Sequence, residues 1–309
     1  AGRLLKTNHD REMKFKLFLY GLTLLMLTGC SSTKSIPEGD QLFIGLDKIQ
    51  YDVPEKSEHF SSTKEEVDAA LATAPNASLF GSSSMRSPFP IGLWIWNEFA
   101  GSESGLGKWL LGSFGSKPIL MSWVNPKLRA SVAQEVLRAH GYFRGSVSHE
   151  VITQKNPKKA KIAYHVNAGH LFTIDSLRYL RFPVEADSLI QAGLADAKVG
   201  KGDAFDVSTL EAERARINVL LRNNGYYFYQ PGYASYLADT VSRPGKVLLK
   251  FQQVENIPAM AKRRWYVGNI DVEMRKDFME TLEDTISRRS MTVHFNGKRP
   301  PLRQSVIRD

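Results

Sequence analysis

At 309 residues the chain is long enough for two or three small domains with real cores, and its 42% hydrophobic and 24% charged residues are ordinary for a globular protein. The formal charge of +9 includes five basic and two acidic side chains within residues 1–29, so the remainder is only mildly basic and no nucleic-acid partner is expected. A single cysteine excludes an internal disulfide and a cysteine-rich metal site.

Residues 1–12 show no apolar period, and Met13 reads as the natural start. Lys14 and Lys16 then form a basic region before an apolar run from Leu17 to Leu27, too short to span a bilayer comfortably. With Thr28 and Gly29 ahead of Cys30, residues 1–29 read as upstream residues and a signal peptide. Leu27-Thr-Gly-Cys30 resembles the bacterial lipobox. The resemblance implies cleavage before Cys30 and lipidation of that residue, with 30–35 as a tether. No acidic residue directly follows Cys30, and by the sorting rules this implies the periplasmic face of the outer membrane.

A strand is expected from Leu42 to Val53, then a helix capped by Ser62 or Thr63 and ending near Pro75. Residues 76–125 are rich in Gly, Ser and Trp and read as an insertion. Trp94, Trp96 and Trp109 are its candidate partner-contact residues, for another polypeptide or for the lipid interface. Asn125-Pro126 caps a second helix with apolar positions Leu128, Val132, Ala133, Val136 and Leu137. A strand is expected over Tyr142–Thr153, a turn at Asn156-Pro157, and a return strand with Ala160, Ile162, Tyr164 and Val166 on one face.

The order then recurs. Leu171–Tyr179 reads as a strand, Val184–Ala192 as a short helix, and Gly200–Asp206 as a loop. A long helix capped by Ser208 runs towards Gly225, and Tyr226–Leu237 and Val247–Phe251 follow as strands. The recurrence is visible in the residues: Leu137-Arg-Ala-His-Gly-Tyr-Phe143 returns as Leu221-Arg-Asn-Asn-Gly-Tyr-Tyr227. Gly141 and Gly225 are expected to stop their helices in the left-handed conformation. A third copy opens at Trp265–Val272, continues through a charged stretch and Met291–Phe295, and is incomplete.

This order, strand-helix-helix-strand-strand with Gly-Tyr at the second helix's end, resembles the polypeptide-transport-associated (POTRA) domain. The lipobox, the Trp-rich insertion and the tandem modules together resemble the lipoprotein TamA-like branch of the BamA/TamA outer-membrane assembly superfamily of Bacteroidetes-type bacteria. The resemblance implies an α+β chain of tandem modules, each a three-stranded mixed sheet with two helices on one face. The modules are 36–169, carrying the insertion 76–125, then 170–256, then the start of a third at 262–309. The family ends in a transmembrane barrel that this sequence lacks, so the chain reads as the N-terminal part of a longer protein.

The implied function is non-enzymatic: binding unfolded outer-membrane clients by strand addition beside that barrel, with a TamB-like periplasmic protein as a further possible partner. The implied peptide-binding edges comprise Tyr142, Phe143, Val147, His149 and Val151, and Tyr226, Tyr227, Phe228 and Tyr233. The alternative is a lipid-anchored scaffold or adaptor that binds one partner through the insertion. No cofactor is expected. The seven His residues show no metal-ligand spacing, and His140 reads as a helix-end cation. Gly101–Gly105 has Glu103 where a nucleophile elbow needs serine, and Gly107-Lys108 lacks the rest of a phosphate loop.

Overall fold

The computed structural model describes residues 32–302 and Val306. The lipobox and the apolar run before it lie outside the described residues. Contacts divide the chain into two compact units. One runs up to Asp175 and adds Lys201–Val207 and Asp239–Leu248; the other holds Ser176–Gly200, Ser208–Ala238 and Leu249–Asp309. The division cuts across the second of three small sheets.

The first sheet has order β1-β3-β2, from β1 (Leu42–Asp52), β2 (Ser146–Thr153) and β3 (Lys159–Asn167). β1 runs parallel to β3, and β2 is antiparallel to it, so the sheet is mixed. One face is covered by α1 (Glu58–Leu71) and α5 (Pro126–Ala139), which pack on each other. α1 begins earlier than expected: Ser57 is the cap, its hydroxyl accepting from the Phe60 N–H at 3.1 Å. Ser62 and Thr63 therefore lie inside the helix, where Thr63 bonds back to the His59 carbonyl. The buried stripe of α1 is Phe60, Thr63, Val67 and Leu71. On α5 it is Pro126, Ala130, Ala133 and Leu137, which leaves Leu128 and Val132 exposed, against expectation. The alanines let the helix lie close to its neighbours, so the larger side chains flank the contact instead of filling it.

β1 is buried on both faces over its first five residues. Phe43 and Leu46 join the helix-side core. Leu42 and Ile44 pack with Ile36, Leu93 and Leu120 in a second cluster, so part of the insertion covers β1 from behind. The insertion contains α2 (Ile91–Phe99), α3 (Gly105–Phe114) and α4 (Met121–Val124). Ser104 caps α3 by accepting from the Gly107 N–H at 3.0 Å. α2 and α3 pack as a hairpin, closed by a bond from the Ser116 N–H to the Gly92 carbonyl at 2.9 Å. The buried Asn76 side chain fastens the two ends of the insertion. It donates to the Ser116 hydroxyl and the Lys117 carbonyl, both at 2.8 Å, and accepts from the Ile119 N–H at 2.7 Å.

The second sheet has order β4-β6-β5, from β4 (Thr173–Leu180), β5 (Ala234–Asp239) and β6 (Lys246–Gln253). Its helices are α6 (Val184–Ala192) and α7 (Val207–Asn223). Ala186 and Ile190 of α6 and Ile217 and Leu221 of α7 bury against Phe251 and Tyr229.

The third sheet repeats the first one's topology, β7-β9-β8, with β7 (Ile270–Glu273) parallel to β9 (Met291–Phe295) and β8 (Asp284–Arg288) antiparallel to it. The charged stretch supplies β8 as well as a connection. Ten residues, 274–283, join β7 to β8 where the other sheets have two helices, and among the described residues the core is Met291, Val293 and Phe295 with flanking side chains. No helix among the described residues is long and apolar enough to cross a membrane.

Candidate functional site

The twin heptapeptides form the same device. At the first, the Gly141 N–H donates to the Arg138 carbonyl and the Tyr142 N–H to the Leu137 carbonyl. At the second, Gly225 donates to Arg222 and Tyr226 to Leu221. These are paired Schellman bonds, with the glycines at φ of +85° and +92°. Each glycine's carbonyl then accepts from a strand-leading aromatic: Phe172 N–H on Gly141 at 3.0 Å, and Trp265 N–H on Gly225 at 2.7 Å. A Cβ on Gly141 would meet the Phe205 carbonyl oxygen at 2.7 Å, and one on Gly225 the Trp265 oxygen at 3.0 Å.

These corners correct the edge assignment. β2 starts at Ser146 and β5 at Ala234, so Tyr142, Phe143, Tyr226, Tyr227, Phe228 and Tyr233 all precede the strands. Tyr142 and Tyr226 are buried, Phe143 stacks edge-on against Phe172 at 5.2 Å, and Phe228 does the same against Trp265 at 5.2 Å. Tyr227 is exposed and Tyr233 half-buried. The aromatic residues after each glycine are pinned by packing and not by strand pairing.

Val147, His149 and Val151 do lie on β2, which has a neighbour on one side only. The direction of their main-chain groups follows from register. Residues of β2 and β3 pair so that Ser146 faces Asn167 and Thr153 faces Ala160. The Gln154 N–H donates to the Lys159 carbonyl, which makes 154↔159 a hydrogen-bonded pair. Such pairs alternate along an antiparallel ladder. Even-numbered residues of β2 therefore bond to β3, while Val147, His149, Val151 and Thr153 direct N–H and C=O away from the sheet. The other side of β3 agrees, since even-numbered Ala168 donates to Asp52 of β1.

The opposite edge is partly occupied. The Phe43 N–H donates to the Ile119 carbonyl, Met121 to Gln41, and Leu46 to Ser83. In the second sheet the outer side of β4 is taken likewise: Ile174 donates to Asp203, Gly202 to Ile174, and Phe205 to Phe172. The first strand of both sheets is covered at its N-terminal end by a returning loop, and the second strand ends the row.

Long-range titratable clusters were not legible in the sequence. His140, at the end of α5, places Nδ1 2.7 Å from Asp206 and Nε2 3.1 Å from Glu66. Burial alone would lower its pKa, but hydrogen bonds to both carboxylates outweigh that and raise it above the ordinary 6.5. Two ring nitrogens that both face carboxylates belong to an imidazolium. His59, His140 and Asp206 offer ligand atoms within 4.8 Å of one another, a grouping that could hold a metal ion. The His59 Nε2, however, bonds the His140 carbonyl at 2.8 Å, and both His140 nitrogens face acids, so ion pairing describes the cluster better. Glu213 is buried in the apolar stripe of α7. Arg216 grips it with bonds of 2.7 and 2.8 Å, and the Tyr179 hydroxyl and Lys198 N–H complete its shell at 2.6 and 2.9 Å. Desolvation pushes its pKa up, but these four bonds prevail and hold it below the usual carboxylate value. The Tyr179 and Lys198 bonds lock α7 to β4 and to the segment after α6.

Within the insertion, Trp94 and Trp96 are half-buried and Trp109 is exposed. Cys30 lies outside the described residues.

No family model matches the chain, and no curated protein matches it. Among solved structures it is similar to POTRA domains 3–5 of Haemophilus influenzae BamA, at 11% identity over 80% of this chain and 76% of that one, with a TM-score of 0.36. It is also similar to POTRA domains 1–2 of Omp85 from Anabaena, at 10% identity over 72% of this chain and all of that one, TM-score 0.31. A third is Haemophilus ducreyi BamA lacking POTRA domains 1–3, at 11% identity and TM-score 0.36, of which the chain spans 29%. These likenesses are remote, and the functional reading rests on strand order and edge geometry.

Proposed function

We infer that the chain is the periplasmic part of an outer-membrane polypeptide assembly factor, held at the membrane by lipid on Cys30, which receives extended client segments as added strands. Residues 36–169 and 170–256 are its two full modules. The observation that carries this is the outer margin of β2, where four successive odd-numbered residues present donors and acceptors with no strand partner among the described residues, while the first half of β1, at the far margin of the sheet, is covered. An added strand takes affinity from main-chain bonds and only loose selectivity from alternate side chains, which suits many unrelated clients. The clients of such a site are unfolded outer-membrane proteins with alternating strands.

The test uses a synthetic peptide of about ten alternating apolar and polar residues, the length of a barrel strand, and a photocrosslinker at His149. Crosslinking is expected, and Val151→Pro should abolish it while the fold survives, because that N–H serves no internal pair. Unchanged crosslinking in a folded Val151→Pro chain overturns the reading. The adaptor alternative is favoured by the exposure of Trp109. It predicts instead that client peptides ignore β2 and that one partner protein is lost on Trp109 substitution.

A further inference from the structure

The α2–α3 hairpin presents side chains that its own domain leaves uncovered. Ile91 of α2 and Leu106, Trp109 and Phe114 of α3 are each more than half exposed, as are Phe80, Phe89 and Trp123 beside the hairpin. At 100° per residue Leu106, Trp109 and Phe114 fall on one side of α3, while Lys108 points the other way. Only five of residues 77–124 are charged (Arg86, Glu98, Glu103, Lys108 and Lys117), leaving a net charge of +1. A surface this apolar and this poor in charge marks a contact site.

The tether indicates what covers it. Ser35 hydrogen-bonds Asn97 of α2, Lys34 lies 3.8 Å from Glu98, and Ile36 is buried with Leu93. Ser32 lines the same depression as Pro88, Pro90 and Trp94. Residues 32–36 are thus fastened along α2. One residue, Ser31, stands between Cys30 and Ser32, a reach of at most about 7 Å. Acyl chains on Cys30 would bring α2 and α3 to the headgroup boundary of that leaflet.

We propose that the α2–α3 hairpin is an interfacial membrane anchor that seats Leu106, Trp109 and Phe114 in the phospholipid surface beside the Cys30 lipid. This rests on the lipoprotein reading for its geometry. Apolar faces of this kind enter about 5–10 Å into the headgroup region, where indoles sit well. Two attachments in place of one hold the first sheet at a fixed height above the bilayer. Because the driving force is apolar area and not charge, docking should occur on neutral as well as anionic lipid and depend little on salt.

The test uses the lipidated chain, reconstituted in phosphatidylcholine vesicles carrying acyl chains brominated near the headgroup, and the full-length Cys30→Ser chain added to the same vesicles. The expected result is tryptophan quenching in both. A Trp109→Ser, Phe114→Ser double variant with an unchanged circular dichroism spectrum should bind at least about tenfold more weakly as the Cys30→Ser form, a change of about 1.4 kcal/mol. Absence of quenching in the reconstituted chain, or undiminished binding of the double variant, overturns the proposal. Hairpin-dependent dimers in place of vesicle binding would overturn it in favour of a second copy, and hairpin-dependent complexes with one periplasmic protein would do so in favour of a polypeptide partner. Acylation is read separately from the mass of the mature N-terminus. An unmodified Cys30 sinks the lipoprotein reading, and quenching still decides the hairpin.

Discussion

Gly141 and Gly225 have the same sequence context and the same left-handed backbone, yet their neighbours differ in closeness. Alanine in that conformation costs about 1–2 kcal/mol by itself. At Gly141 the added methyl group would also press on the Phe205 carbonyl at 2.7 Å, against 3.0 Å for the Trp265 carbonyl at Gly225. Gly141→Ala should therefore lower the free energy of unfolding by at least about 2 kcal/mol, and more than Gly225→Ala does; urea titrations of both variants check this.

His140 adds a pH dependence. Its folded pKa is raised, so its contribution is complete below the ordinary value of about 6.5 and is lost as pH rises through the raised value. The stability difference between wild type and His140→Gln should shrink over that rise; a constant difference would contradict the ion-pair geometry. Glu213 behaves oppositely, its contribution being present above the usual carboxylate range and lost as pH falls through its depressed value. Glu213→Ala would strand Arg216, which is mostly buried, and should cost about 3–5 kcal/mol. The twin glycine stops were legible because only glycine takes that conformation cheaply. Glu213 was not, since a carboxylate in an apolar stripe looks like an exposed position until Arg216, Tyr179 and Lys198 are brought around it.

At the scale of elements, β2 separates two kinds of main-chain position. Proline at Val151 should leave the fold intact, whereas proline at Glu150 removes a bond to β3 and, deeper in the ladder, should unfold the first sheet. Thermal melts distinguish them. Alternation placed β3 and β6 within one or two residues, and the apolar spacing placed α6 at Val184–Ala192, because these elements bury one regular face. Tyr142–Gly145 and Tyr226–Tyr229 read as strand because aromatic residues favour strands, but the Schellman bonds and the packing of Phe143 on Phe172 fold them into turns. α2 and α3 were hidden for another reason. Glycine and tryptophan are weak helix formers, so the Gly-, Ser- and Trp-rich composition of residues 76–125 reads as an irregular insertion and not as helix. Which margin of the sheet is open depended on strand order, and on the chance that Ile119–Met121 returns beside β1; neither has a local signature.

For the molecule as a whole, the three sheets share an order but not a supporting layer. The first has α1 and α5 over a core that includes Phe43, Leu71, Leu137 and Tyr164, while the third has, among the described residues, three buried core side chains and a ten-residue connection without a helix. Amides of β7, β8 and β9 should therefore exchange with solvent orders of magnitude faster than those of β3, since local opening there exposes little apolar surface. Comparable protection would mean that something beyond the described residues covers the third sheet. The recurrence of one strand order in the first two sheets was foreshadowed by the repeated heptapeptide. That the third copy substitutes a short connection for two helices was not, because a charged stretch gives no sign of an added strand.

Asn76 carries one last consequence. A single buried amide, at the start of the insertion, clasps Ser116, Lys117 and Ile119 at its end, so the forty or so residues between leave and rejoin the scaffold at one point. Evolution, or an engineer, could redraw the exposed faces of α2 and α3 while the sheet beneath goes on folding as before, so long as Leu93 and the Ser83 carbonyl keep their places against β1.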